Sequence, residues 1–250
     1  MYKIMIDPGH GGKDKSNKGP TGYIEADGVL DISLKLRDEL LAIGAFEVKL
    51  TRESDEYIEV RERGRMAVRW GSDLFLSQHT NASGLVNNTS IRGTEVYSSV
   101  KLKDDELAAQ MSKAIAEAIS TKNRGAKKRE STNYPGEDYY GVIDAAVDGG
   151  VPHVLLIESA FHDNKEDEAL LKNPEKRAAI AKAQATVISE FFGVKKEEKE
   201  LNWKQKIVQE AFDLGLITDK TWVDKAEEPS TIWFVCALAI NVYKKLKTKE

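Results

Sequence analysis

Three apolar runs in this chain each end in a side chain that can do chemistry. Ile4-Met5-Ile6 leads into Asp7-Pro8-Gly9-His10-Gly11-Gly12, where proline stops a strand and the glycines turn the backbone, leaving His10 at the carboxyl end. Leu74-Phe75-Leu76-Ser77-Gln78 ends in His79, with the polar Thr80-Asn81 behind it. Val154-Leu155-Leu156-Ile157 ends in Glu158. Two imidazoles and a carboxylate suit a divalent cation. Zinc takes imidazole nitrogen and carboxylate oxygen in three-ligand sites that keep a fourth position for water. Covalent catalysis has little support: no serine sits in a nucleophile-elbow pattern, and the single cysteine, Cys236, lies in an apolar run outside these motifs.

A third ligand has several candidates. Glu25, Asp27 and Asp31 fall near the start of a helix predicted over 29–43. Glu25 lies ahead of that helix, free to turn toward the His10 loop, whereas Asp27 reads as a cap or first-turn acid and Asp31 as a surface charge. His153 points away from Glu158, because strand side chains alternate, and reads as a packed or edge histidine. His162 follows Glu158 closely and stays open as a ligand beside its reading as a surface histidine. No His-Glu-x-x-His helix occurs.

For the three runs to converge, they must be neighbours in a parallel sheet, at the edge where α/β proteins collect ligands. Helices are predicted over 29–43, 59–70, 104–119, 165–171 and 174–192, and further strands over 46–50, 93–98 and 140–143. The basic, then polar, stretch 121–138 reads as a long loop flanking the site. The fold class is therefore α/β, a mostly parallel twisted sheet flanked by helices, over 1–193. A charged linker follows over 194–201, and 202–250 forms a small all-α module with helices over 203–214 and 229–246.

Composition bounds the function. At 250 residues there is room for one medium domain and an appendage, and 41% hydrophobic with 31% charged residues is the balance of a globular chain. A net charge of −4 argues against a nucleic-acid partner. One cysteine excludes an intramolecular disulfide and a cysteine-based zinc cluster. No apolar run reaches the roughly 20 residues of a transmembrane segment. The chain enters its first strand at once, so the expectation is synthesis in the cytoplasm without a signal peptide.

Asp7-Pro8-Gly9-His10-Gly11-Gly12, Gly22-Tyr23-Ile24-Glu25-Ala26-Asp27, Ser77-Gln78-His79-Thr80-Asn81-Ala82 and Leu155-Leu156-Ile157-Glu158-Ser159-Ala160-Phe161 occur in this order. Together they resemble the motifs of the zinc-dependent N-acetylmuramoyl-L-alanine amidases of type 3, and Thr51-Arg52 and Gly93-Thr94-Glu95-Val96-Tyr97 also match. The resemblance implies zinc held by His10, Glu25 and His79, with Glu158 catalytic. It implies peptidoglycan as substrate, cut between N-acetylmuramic acid and L-alanine. Gln78-His79-Thr80 in place of aliphatic-His-Ala, and Ser159-Ala160 in place of leucine-glycine, are expected to bear on substrate fit. A zinc peptidase acting elsewhere on the stem peptide, or a wall-binding module without catalysis, are the competing readings.

With no leader and a small add-on, the chain resembles phage endolysins, which act on the wall once the membrane is permeabilised; a mother-cell sporulation amidase has the same features. The last helix is apolar on nearly every side, so the small module is expected to serve wall targeting or self-association into a homo-oligomer through its helices.

Overall fold

The computed structural model describes residues 1–85, 88–194, 202–217, 220–226 and 232–247. The chain divides into two units, Met1–Lys196 and Glu197–Glu250.

The apolar runs that end in chemistry are the middle of a sheet. In the first unit the elements are β1 (Tyr2–Pro8), α1 (Glu25–Leu41), β2 (Phe46–Leu50), α2 (Val60–Trp70), β3 (Leu74–Asn81), β4 (Thr94–Ser98) and α3 (Asp105–Ile119). They continue with β5 (Asn123–Lys127), α4 (Gly141–Asp148), β6 (His153–Phe161), α5 (Lys165–Lys172) and α6 (Pro174–Phe191). The strand order is β2-β1-β3-β6-β4-β5, with every pair parallel except β4 against β6. β1, β3 and β6, which carry the three motifs, are adjacent and point the same way.

Strands buried on both faces read as continuous apolar runs because each face meets helices. Ile4, Ile6, Leu74, Leu76, Leu155 and Ile157 pack against α1, α3 and α6 on one face. Met5, Phe75, Val154 and Leu156 pack against Ala67 of α2 and Val142, Ile143 and Ala146 of α4 on the other. The connection from β1 to β2 thus runs over one face and that from β2 to β3 over the other. The strand ends between β1 and β3 form a topological switch point, the crevice where open α/β sheets bind ligands.

Three predicted elements differ. The strand expected over 140–143 is the start of α4: Val142, Ile143 and Ala146 repeat at helical spacing, and Gly64 lets α2 approach so closely that a Cβ there would meet Val142 O at 2.7 Å. The loop expected over 121–138 contains β5, whose Asn-Arg-Gly-Ala-Lys composition lacks an apolar face because it is an edge strand protected by charge. α1 starts at Glu25 rather than 29, with Ile24 at its N-cap and no side-chain cap to announce it.

In the second unit, α7 (Trp203–Asp213) opens with a capping box between Asn202 and Gln205, and α8 (Ile232–Lys247) follows a short 3-10 turn at Lys220–Trp222. Ala211 packs against Cys236 and Ile240, while Val208 meets Val223 and Ala226. Val235, Val242 and Leu246 of α8 are exposed. The expected linker beyond Val194, the expected helix start over 229–231 and the side chains of Ile232, Trp233, Phe234 and Leu238 lie outside the described residues. Among those residues no helix is long and apolar enough to cross a membrane.

Candidate metal centre

His10 owes its position to two arginines. β1 stops at Pro8, and His10 adopts a left-handed φ of 59°, which a non-glycine residue holds only when its surroundings enforce it. Arg63, from α2, donates to Asp7 Oδ1 at 2.9 Å, Pro8 O at 2.7 Å and His10 O at 2.7 Å. Arg52, 2% exposed just past β2, donates through Nε to Pro8 O and through Nη2 to both Gly9 O and Ala26 O. That last nitrogen joins the loop of His10 to the helix turn of Glu25.

His79 stands one position beyond the Pro8–Gln78 pairing of β1 and β3, so its ring faces Gly9. Glu25, at the first turn of α1, reaches over the strand ends between the two imidazoles. Its Oε1 lies 3.3 Å from His10 Nε2 and 3.2 Å from His79 Nδ1, and one ligand atom from each of the three residues lies within 4.8 Å of the others. The ring centroids are 5.0 Å apart and nearly perpendicular.

Outer partners fix His10 and Glu25. Asp14 Oδ2 is 2.9 Å from His10 Nδ1, a carboxylate–imidazole contact of the kind that orients metal-bound histidines. Asn17 Nδ2 donates to Glu25 Oε2 at 2.8 Å, and Thr80 N donates to Glu25 Oε1 at 2.8 Å.

The cluster calls for positive charge. Burial pushes the His10 imidazole toward neutrality, but the Glu25 and Asp14 carboxylates overcome it and lift its pKa to about 9. Burial likewise opposes ionisation of Glu25, and the two histidines override it and hold the carboxyl well below the usual range.

Glu158 pairs in register with His79 across β3 and β6, and with Glu95 across β6 and β4. It opens onto a cavity of about 260 Å³ shared with His10, His79, Arg63 and Tyr140. Its Oε2 is buried without a hydrogen-bond partner among the described residues. Desolvation first, then the charges of Glu25 and Glu95, push its carboxyl well above the ordinary range. Nearby carboxylates with opposed shifts mark distinct roles in one site: Glu25 is held toward its anion, and Glu158 has a raised proton affinity.

The family profile described as N-acetylmuramoyl-L-alanine amidase matches residues 4–190. The chain belongs to this family. It is 35% identical over 198 residues to the endolysin of Bacillus phage SPP1, covering 78% of this chain and 67% of that protein. It is 28% identical over 208 residues to the sporulation-specific N-acetylmuramoyl-L-alanine amidase of Bacillus subtilis, covering 83% and 74%. Among solved structures, the catalytic domain of the amidase CwlV from Paenibacillus polymyxa superposes with a TM-score of 0.67 at 28% identity, over 78% of this chain and all (100%) of that one. The amidase of Clostridium difficile 630 does so with the same score at 26% identity, covering 78% and 98%.

Within this amidase fold, His10, Glu25, His79 and Glu158 surround one crevice. Asp27 lies in the first turn of α1, pairing with Lys15, and Asp31 pairs with Lys35 and with Arg177. His153 sits at the far end of β6, with Nδ1 2.8 Å from Asp104 and its ring edge-on to Phe191. His162 is not a surface residue: it is 3% exposed, with Nδ1 3.0 Å from Thr80 O, and its backbone N donates to Asn81 O. The apolar Ala160-Phe161 before it carries β6 into the interior.

Gln78, expected to bear on substrate fit, is fully buried. Its side chain points to the opposite face and exchanges hydrogen bonds of 2.6 and 3.0 Å with Gln184 of α6. Arg63 and Tyr140 line the cavity and were not singled out by sequence. The local signal for Arg63 is a charged residue on the inner face of a helix, beside the buried Gly64 and Ala67.

Proposed function

We propose that this chain is a zinc-dependent N-acetylmuramoyl-L-alanine amidase that hydrolyses the amide between N-acetylmuramic acid and L-alanine in peptidoglycan. One observation carries the proposal: three ligand atoms from His10, Glu25 and His79 gather within 4.8 Å beside the cavity onto which Glu158 opens. The donor set fits zinc. Two imidazole nitrogens and one carboxylate oxygen, with His10 and Glu25 oriented by outer hydrogen bonds, form a three-ligand site with an open position.

When bound, zinc supplies a Lewis acid that polarises the scissile carbonyl and acidifies water. The chain's own residues do the rest. Glu25 holds its charge at the floor of the site. Glu158 receives the proton of the attacking water at its unpaired Oε2 and passes it to the departing amine, a transfer eased by its raised proton affinity. Arg52 and Arg63 hold the His10 loop rigid, so the ligands need not be ordered at each turnover.

Between lysis and sporulation, the 35% identity with the phage endolysin against 28% with the sporulation amidase supports a lytic role. Residues 202–250 then serve as a targeting or self-association module at the wall. A chain ending at Gly193 should bind walls less or lose its oligomeric state; equal lysis and equal size would remove that role.

The deciding experiment measures metal content together with product end groups on purified peptidoglycan. New amino-terminal alanine, released by zinc-loaded protein and lost after chelation, is the expected result. Cleavage at full rate after exhaustive chelation would refute zinc dependence, and new termini other than alanine would make the chain a peptidase.

A further inference from the structure

Arg124 is an arginine aimed at the site by a bulge. β4 and β5 pair at Thr94 with Asn123 and at Glu95 with Gly125, so Arg124 is the extra residue with no counterpart on β4. Gly125 takes a left-handed φ of 78° to allow it. Such bulges re-aim a side chain beside active sites. Here Arg124 Nε donates to Glu95 Oε2 at 2.6 Å, and the guanidinium carbon lies 4.9 Å from the Phe161 ring centroid.

Glu95 is itself buried, and its other oxygen accepts from Asn81 at 2.8 Å and Tyr97 at 2.9 Å. It is a fixed anchor. The Arg124 side chain remains 28% exposed, and neither Nη nitrogen has a hydrogen-bond partner among the described residues. A planar fork held at Nε and stacked on a ring is pre-organised to grip a carboxylate with both remaining nitrogens.

The row of residues fixes which part of a substrate meets it. His79, Glu158 and Glu95 stand in register on β3, β6 and β4, and Arg124 follows on β5. On the function proposed above, on which this inference rests, Glu158 hands its proton to the departing nitrogen. That nitrogen, and the peptide attached to it, therefore leave on the Glu158 side of the metal corner, toward β4 and β5. Two strand spacings of ~4.8 Å separate Glu158 from Arg124, a span of about three extended residues at ~3.3 Å each.

We infer that Arg124 is a specificity residue that binds a free carboxylate of the stem peptide, two or three residues beyond the scissile amide. Lys122 and Lys127, both exposed on the same edge of the sheet, add positive charge around it. Amidation of that carboxylate removes the charge and one acceptor oxygen, so the subsite distinguishes acidic from amidated stems.

The test compares soluble N-acetylmuramoyl tripeptides with every peptide carboxylate free against the same compounds with carboxamides throughout. Wild-type protein should favour the acid form. Arg124→Gln should lose roughly ten- to hundredfold in kcat/KM on the acid form, mainly through KM, and stay within about twofold on the amide form. Lys182→Gln, at an exposed position of α6, should leave the preference in place. Equal losses on both peptides in Arg124→Gln, or no wild-type preference, would overturn the inference and leave Arg124 as a partner of Glu95 alone. Wild-type protein that cleaves neither peptide would instead overturn the amidase reading beneath it.

Discussion

Gly9 packs so closely against His79 that a Cβ on it would stand 2.3 Å from the imidazole Cε1. The glycine is required for clearance: its neighbour's ring occupies the volume of a side chain. Gly9→Ala should therefore push His79 out of reach of Glu25 while leaving the sheet intact. The expected result is loss of bound zinc with an unchanged circular-dichroism spectrum. A variant that kept full zinc stoichiometry would show that the His79 ring can give way without cost.

Glu158 is positioned by strand register and makes no hydrogen bond at Oε2, so replacing it disturbs little else. Glu158→Gln keeps the shape and removes the titrating oxygen. Zinc content should stay at the wild-type level, while kcat falls by about 10²- to 10⁴-fold, the range of a lost general acid–base group. Parallel loss of zinc would mean that the residue supports the metal rather than moving a proton.

The convergence of His10, His79 and Glu158 was legible because each closes an apolar run, and continuous apolar runs in an α/β chain become adjacent parallel strands. Glu25 was legible as a candidate, but its place was not: with Ile24 at the N-cap, nothing local marks the start of α1. β5 was hidden because an edge strand carries charge where a central one carries valine. The roles of Arg52 and Arg63 had little local sign either. A buried arginine is paid for by carbonyls that arrive from distant segments, here Pro8, Gly9 and Ala26, and spacing along one element cannot reveal them. His162 reads as polar in sequence yet is enclosed by the bend that follows β6.

Arg52 meets four carbonyls, those of Pro8, Gly9, Ala26 and Ser54, at 2.7–2.9 Å. A lysine keeps the charge but has one nitrogen on a flexible four-carbon stem, without the planar fork. Pro8 O keeps Arg63, but Arg52→Lys should leave one or more of the Gly9, Ala26 and Ser54 carbonyls without this donor, at about 1–3 kcal/mol each. Thermal unfolding should report that loss. Because the same guanidinium joins the His10 loop to α1, zinc affinity should fall with it. Unchanged affinity in a destabilised variant would show that the two ligands are held independently.

Acid should attack the fold at Asp7. Burial raises its carboxyl, but Arg63, with the Thr51 and Ser77 hydroxyls, outweighs that and holds the pKa below the ordinary 3.8. In that window the unfolded chain binds the proton more readily than the folded one. The stabilisation is thus complete above about 4 and is lost as pH falls through the folded-state value. Asp7→Asn removes this pH-dependent share and strands Arg63 without its carboxylate, which costs about 3–5 kcal/mol. Urea unfolding of both proteins at neutral pH and below pH 4 checks the sign: the gap between them should be widest at neutral pH and narrow on acidification. A gap that widens in acid would mean that Asp7 is protonated in the folded protein and that Arg63 is held by the Pro8 and His10 carbonyls alone.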